Sequence, residues 1–394
     1  DARPRARDLA LPIGGEPGSL DAITDVAGVE VGYATLIEGA GALKPGKGPV
    51  RTGVTLVFPR GRANLDPVFG AWHSFNGNGE MTGTAWLEEG GFLEGPVAIT
   101  NTHSVGVVRD AIVRWETKQG GMPQLWQLPV VAETWDGVLN DIEGMHVRES
   151  HVLAAIESAR GGVVPAEGNV GGGTGMVCFE FKGGTGTASR RVTTEDGTWT
   201  VGVLVQCNTG LRADLRIAGV PVGAAFADRL LACRTNGAAA GDSLGIPTCA
   251  AEAEAADEER GSIIVVIATD APLMPHQLER IAQRATVGLA RAGGFGGNGS
   301  GDLFVAFSTA NSGAAKGTPA TVTALGNGQL SPLFKATALA TEAAIVNALL
   351  QAEDMVGIEH RRVPALPWRE LAPLFRRHGH MLTIHGEDAA ASAR

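Results

Sequence analysis

Apolar residues recur along this chain at two spacings. In "AITDVAGVEVGY", "GVTLVFPRG" and "GPVAITNT" they bunch or alternate as in strands, whereas "SVGVVRDAIVRW" and "ESHVLAAIESAR" carry them at helical spacing, with Ser104 as N-cap of the first helix. From residue 176 to 224 the helical period vanishes, and "MVCFEFKGG", "TWTVGVLVQCN" and "LRADLRIAGVPVG" read as consecutive strands, a meander in an antiparallel sheet. Further on, "SIIVVIAT" is apolar at nearly every position, which predicts a strand covered on both faces. Pro275 opens a helix with Leu278, Ile281, Ala282, Ala285 and Leu289 on one face, and "LFVAFST" is another short strand. Ser331 and Pro332 mark the N-cap and first turn of a long helix to about Glu353, with Ala336, Leu339, Ala343, Val346 and Leu350 inward. Two sheets between helical layers is the simplest packing of this order.

Composition narrows the function classes. With 394 residues, 44% of them hydrophobic, the chain can bury one large core or two ordinary ones. Its formal charge of −10 argues against a nucleic-acid binder, which needs clustered Lys and Arg to displace counterions from phosphates. No stretch approaches the roughly 20 apolar residues of a membrane span, so a soluble globular protein is expected. The start "DARPRARDLALP" has no Met and reads as a trimmed chain or as a mature chain freed of a signal peptide, slightly favouring a periplasmic over a cytoplasmic location. The four cysteines show neither C-x-x-C spacing nor nearby His pairs, which argues against zinc. Cys178 and Cys207 sit in apolar strand patterns and read as buried thiols, while Cys233 and Cys249 flank a loop and stay open between thiols and a disulfide.

Several short motifs match by chance. The stretch "GFGGNG" from Gly294 satisfies G-x-G-x-x-G, but its order is helix, loop, strand, the reverse of a dinucleotide site. The Gly-rich "GNVGGGTGM" and "KGGTGTASR" lack phosphate-loop spacing and read as turns. Gly241 to Gly245 matches G-x-S-x-G, yet no strand leads into it, as a nucleophile elbow requires. His73 and His103 have no triad or ligand spacing and read as structural hydrogen-bonding residues.

One boundary stands apart. Residues 232–261 are rich in small and acidic residues and read as a mobile connector, and they end at Gly261-Ser262, directly before the covered strand. A serine hydroxyl needs a base, and a chain cut before Ser262 would supply one from the serine's own amine, whose pKa near 7.7–8.0 suits neutral pH. That design needs a flexible leader, a small residue at the cut and a nucleophile heading a rigid strand, and all three are present. Without further context, Glu133 reads more readily as a surface acid, Asn208 as a turn residue and Ser300 with Asp302 as a loop cap than as functional groups, and Ser262 can also be read as a strand cap.

The stretches "AITDVAGVEVGY", "VFGAWHSFNGNGEMTG", "ITNTHSVGVVRDAI", "VVAETWDGVLND", "VLVQCNTG", "GSIIVVIATDAPL" and "GSGDLFVAFSTAN" span nearly the whole chain. Together they resemble the self-processing aminopeptidases typified by DmpA (L-aminopeptidase/D-amidase/esterase) and the bacterial β-peptidyl aminopeptidases. The resemblance implies an α+β fold, a four-layer αββα sandwich akin to that of N-terminal nucleophile hydrolases and shared with ornithine acetyltransferase, in one domain over residues 1–394. It also implies autoproteolysis between Gly261 and Ser262 into chains 1–261 and 262–394, which stay associated as a homotetramer of such pairs. Carried over residue by residue, it makes Ser262 the nucleophile, Asn208 an oxyanion donor, and Ser300 with Asp302 the hydroxyl and carboxylate beside the nucleophile. The acid is Glu in some relatives and Asp here. Glu133 matches the carboxylate that binds the substrate's free amine, and Trp135 a pocket-lining aromatic closer to the β-peptidyl branch. The expected activity is removal of an N-terminal residue, preferably a β-amino acid, from short peptides, amides or esters, with neither metal nor organic cofactor and with no nucleic-acid or membrane partner. An L-aminopeptidase/D-amidase-esterase is the alternative, and an acyltransferase on the same fold a more distant one.

Overall fold

The strand at residues 262–269 shows how the layers arise. Ile263, Val265 and Ile267 belong to one apolar cluster and Ile264, Val266 and Ala268 to another, because successive side chains of a strand point to opposite faces. A run without polar residues is therefore the signature of a sheet packed on both sides. The computed structural model describes residues 2–120, 124–227, 231–235, 244–249 and 261–383. Ten strands make up its two main sheets: β1 (Glu30–Glu38), β2 (Val50–Phe58), β3 (Val68–Gly77), β4 (Phe92–Leu93), β5 (Val97–Asn101), β6 (Val130–Thr134), β7 (Gly184–Thr194), β8 (Gly197–Asn208), β9 (Ser262–Thr269) and β10 (Gly301–Ser308). One sheet runs β1-β2-β5-β6 and the other β4-β3-β10-β9-β8-β7. The β5/β6 and β9/β10 pairs are parallel and the rest antiparallel.

The helices are α1 (Thr84–Gly90), α2 (Val105–Gln119), α3 (Glu149–Ser158), α4 (Pro275–Gln283), α5 (Ala285–Ala292), α6 (Leu330–Gln351) and α7 (Leu371–Arg377). Val108, Ile112, Val152 and Ile156 of α2 and α3 pack on Val54, Leu56, Phe58 and Val131 of the four-stranded sheet. Leu278, Ile281, Leu289 and Val346 of α4 to α6 pack on Val203, Val205, Val265 and Phe304 of the six-stranded sheet. The two sheets meet through Val57, Ile99 and Ala132 against Leu204, Ile264 and Leu303. The sequence is thus helix, sheet, sheet, helix from one side to the other, the expected αββα sandwich. Gly186 lets α6 lie directly on β7, since a Cβ there would run into the Ala344 carbonyl and Ala348. Together with the turn before it, α6 is long and apolar enough by length and composition to cross a membrane, against the sequence expectation, but it is buried inside the protein as a core helix.

Other expectations change with tertiary context. Within residues 176–224 only "TWTVGVLVQCN" is a long strand as read. "MVCFEFK" is a tight hairpin whose arms are Val177–Cys178 and Phe181–Lys182, and "LRADLRIAGVPVG" forms 3-10 turns at Arg212–Asp214 and Gly223–Phe226. The strand β7 occupies "GTGTASRRVTT", taken for a turn because its residues are small or polar, yet Thr185, Thr187, Ser189 and Arg190 are all buried. Ser104 precedes α2 without capping it; Asn101 instead accepts the His103 amide at 3.0 Å and caps the preceding 3-10 turn. Ser331 lies inside α6, whose N-cap position is Gln329, and the helix from Pro275 breaks at Arg284 into α4 and α5. Cys178 and Cys207 are not free thiols but a buried disulfide, because the hairpin folds back on the end of β8. Cys233 and Cys249 form a second disulfide. Of the expected connector, residues 236–243 and 250–260, including Asp242 and Ser243 of the G-x-S-x-G match, lie outside the described residues.

Candidate active site

Three strand ends meet at one edge of the six-stranded sheet. Ser262 opens β9, where it pairs with Asn208 at the end of antiparallel β8 and with Gly301 at the start of parallel β10. This register follows from the long apolar ladder behind it, since a slip by one residue would turn each apolar set to the wrong layer. Gly261 has no room for a side chain, as a Cβ would collide with the Asn208 carbonyl. The small residue expected at the seam is thus a steric requirement of the strand pairing.

The Gly301 amide donates to Ser262 Oγ at 3.0 Å. On either side of Gly301, the Ser300 hydroxyl donates to Asp302 Oδ1 at 2.7 Å, and the same oxygen accepts the Ile263 amide at 3.1 Å. Ser300 and Asp302 thus share a face, as their spacing of two predicts, and both are fully buried. The loop before them is tied to the tail of β3: Asn76 Nδ2 donates to the Gly296 and Gly297 carbonyls, Asn78 Nδ2 to Gly299, and the Asn78 amide to the Ser300 carbonyl.

Asn208 is held at both ends of its amide. Its Oδ1 accepts the Val177 amide at 2.8 Å and its Nδ2 donates to the Trp135 carbonyl at 3.0 Å. An amide nitrogen carries two hydrogens, so one remains to donate to a ligand.

The four-stranded sheet supplies Glu133, the fourth residue of β6, buried at 3% exposure. Its Oε1 accepts the Glu80 amide at 3.0 Å and its Oε2 the Thr102 hydroxyl, which together fix the carboxylate. Among the described residues no Lys or Arg pairs with it. Burial pushes its carboxyl above the usual range, and the bonds from Thr102 and the Glu80 amide oppose that shift. Gly79 separates this carboxylate from the strand ends: a Cβ there would stand 3.3 Å from Glu133 Oε1 and 3.1 Å from Gly301 Cα. Trp135, two residues on, is 37% exposed with its carbonyl on Asn208, so the turn after β6 links the two sheets' contributions.

All six residues singled out from the sequence fall in this one region. Sequence reasoning missed Thr102, Val177, the Gly301 amide and Asp136. Backbone donors leave no residue signature, though Thr102 stood in plain view in "ITNTHS" beside β5. Asp136 is fully buried, accepts from Asn140 Nδ2 at 3.0 Å, and is pushed by burial up to about 7. His73 lies along β3 opposite Phe304, three residues from Gly301, and His103 has its ring 3.8 Å from exposed Glu143. Among the described residues no group of three His, Cys, Asp or Glu is placed to hold a metal ion.

The sequence matches peptidase family S58 over residues 21–363. The chain belongs to that family. It is 53% identical over 377 residues to a β-peptidyl aminopeptidase of Sphingosinicella microcystinivorans, covering 95% of this chain and 92% of the relative. Among solved structures, a β-aminopeptidase of Burkholderia sp. superposes with a TM-score of 0.81 at 46% identity, covering 96% of this chain and 99% of that one. The L-aminopeptidase D-Ala-esterase/amidase of Ochrobactrum anthropi, a prototype serine aminopeptidase with a variant of the Ntn hydrolase fold, does so with a TM-score of 0.83 at 43% identity, covering 96% and 100%. This S58 member is therefore a serine peptidase on the fold of the N-terminal nucleophile hydrolases.

Proposed function

We propose that this S58 peptidase is a self-processing β-peptidyl aminopeptidase that removes N-terminal β-amino acids from short peptides and amides. The observation that carries the reading is Glu133, a buried, doubly hydrogen-bonded carboxylate with no Lys or Arg paired to it among the described residues, one glycine away from the strand ends that present Ser262. A buried charge needs a partner, and a substrate's ammonium supplies one; a chain continuing beyond that nitrogen would leave the carboxylate unpaired. The higher identity to the two β-aminopeptidases than to the L-aminopeptidase D-Ala-esterase/amidase supports the β preference.

Activation starts with Ser262 Oγ attacking the Gly261 carbonyl carbon. The peptide C–N bond breaks as an ester forms, and the freed nitrogen becomes an amine. Water then hydrolyses the ester, leaving a carboxylate on Gly261 and restoring the hydroxyl. In turnover that amine takes the Ser262 proton during attack on the substrate carbonyl and delivers it to the departing amine, a role its pKa near 8 suits. The free N–H of Asn208 meets the oxyanion of each tetrahedral intermediate. Asp302, which accepts both the Ser300 hydroxyl and the Ile263 amide, and Ser300 hold the polar environment beside the nucleophile. The mature assembly is a homo-oligomer of cut pairs. Hydrolysis of β-homo-amino-acid and L-α-amino-acid p-nitroanilides by the same preparation tests the preference: the β substrates are expected to turn over faster, and a reversed order would assign the L-aminopeptidase/D-amidase activity instead.

A further inference from the structure

The hairpin Val177–Lys182 is too short to be stable alone, and its turn is costly. Phe179 and Glu180 both adopt left-handed φ, +48° and +58°, in a two-residue turn where Asn-Gly is the favoured pair. Strain of this kind persists only where the surroundings over-determine it. Here the restraints are many. The Phe179 amide donates to the Thr209 carbonyl at 2.7 Å, and the Arg212 amide to Glu180 Oε2 at 2.8 Å. The Arg212 guanidinium stacks 3.7 Å over the Phe181 ring. The fully buried Lys182 side-chain nitrogen donates to the Met176 and Gly183 carbonyls, drawing the two arms together. The Cys178–Cys207 disulfide then fastens the hairpin to β8 one residue before Asn208.

What this element delivers to the site is one N–H, from Val177 to Asn208 Oδ1. That bond decides the orientation of the amide. A flipped Asn208 would set its NH2 against the Val177 N–H and its oxygen against the Trp135 carbonyl, losing both bonds. We propose that the Val177–Lys182 hairpin, fastened by the Cys178–Cys207 disulfide, locks the Asn208 amide in its donating orientation, making Val177 and Cys178 positioning residues for the reaction. This rests on the reading of Asn208 as oxyanion donor.

The test uses processed protein and a β-homo-amino-acid p-nitroanilide. Cys178→Ala/Cys207→Ala, and separately Val177→Pro, which removes the N–H and keeps the disulfide, are each expected to lower kcat about tenfold with KM within twofold. Neither is expected to lower it further in an Asn208→Ala background. Should either variant fail to fold, the wild-type active site can be probed in a Cys233→Ala/Cys249→Ala chain treated with dithiothreitol, which is oxidised to its cyclic disulfide as Cys178 and Cys207 become thiols, counted by alkylation and mass. The same fall in kcat is expected there. A lower melting temperature with unchanged kcat would reduce the hairpin to a structural element. An equal loss of kcat persisting in the Asn208→Ala background would also overturn the proposal, by showing that the hairpin acts elsewhere. Full activity of Asn208→Ala alone would sink the oxyanion reading itself.

Discussion

In the six-stranded sheet the site is made by three strand ends lying side by side, Asn208, Ser262 and Gly301, whereas the four-stranded sheet reaches it with one carboxylate and the turn that follows. The first arrangement places its groups through backbone pairing, and Ser262 is fixed by ladders on both flanks. The second places Glu133 through side-chain and loop contacts, the Thr102 hydroxyl and the Glu80 amide. On the function proposed above the sheets divide labour: one would hold the reacting atoms, and the other the partner for the substrate's charge. If that division is real, damage on one side must leave the other side's task intact.

The severest test is Ser262→Ala, expected to give a single uncut mass and no hydrolysis, since it removes the attacking atom of both steps. A preparation that still yielded a chain beginning at residue 262 would falsify the activation scheme. Asn208→Ala follows, with kcat lower by about 10² to 10³ from loss of one oxyanion donor, read on protein whose cleavage has been confirmed by mass spectrometry. Glu133→Ala is expected to process itself normally yet lose about 1.5–3 kcal/mol of binding, roughly ten- to a hundredfold, mostly in KM. Unimpaired KM would break the comparison at its second half. The smallest effect belongs to Thr102→Val. The Thr102 bond favours the charged carboxylate and so lowers a pKa that burial has raised; without it the pKa rises further. The acid limb of kcat/KM is therefore expected to move to higher pH, while kcat at alkaline pH stays near wild type. A limb moving to lower pH would contradict the assigned sign.

The same division decided what could be read from sequence. The strand β9 was legible because a buried parallel neighbour and two packed faces leave it no polar position, and Ser262 was legible as the residue before which that pattern stops. Beyond the spacing of two that sets Ser300 and Asp302 on one face, these residues, Glu133 and Asn208 carry no shared spacing; they are brought together by strand register and loop anchoring, and only resemblance to a family assembled them. The misreadings have a common cause. Arg190 of β7 is buried against Asp21, and Thr187 donates to the Val203 carbonyl, so polar residues in a central layer are satisfied by partners distant in sequence. Arg212 likewise holds a turn where an apolar run suggested a strand. Hydrophobic periodicity registers burial of carbon and is blind to burial of paired polar groups. The Cys178–Cys207 disulfide was hidden for the same reason, since its two strand patterns gave no sign that one of them folds back.

The position of β9 has a consequence for reversibility. Its neighbours β8 and β10 lie on opposite sides of residue 261 in the chain, yet all three belong to one sheet. Before cleavage, reassembly of that sheet is a unimolecular search. After the proposed cleavage at Gly261 the same ladder would join two separate polypeptides, so refolding from denaturant is expected to become second order and to depend on protein concentration. A chain cut there as proposed would endure through slow unfolding of its buried centre more than through easy recovery, so the cut that creates the base would also make the fold hard to regain once lost.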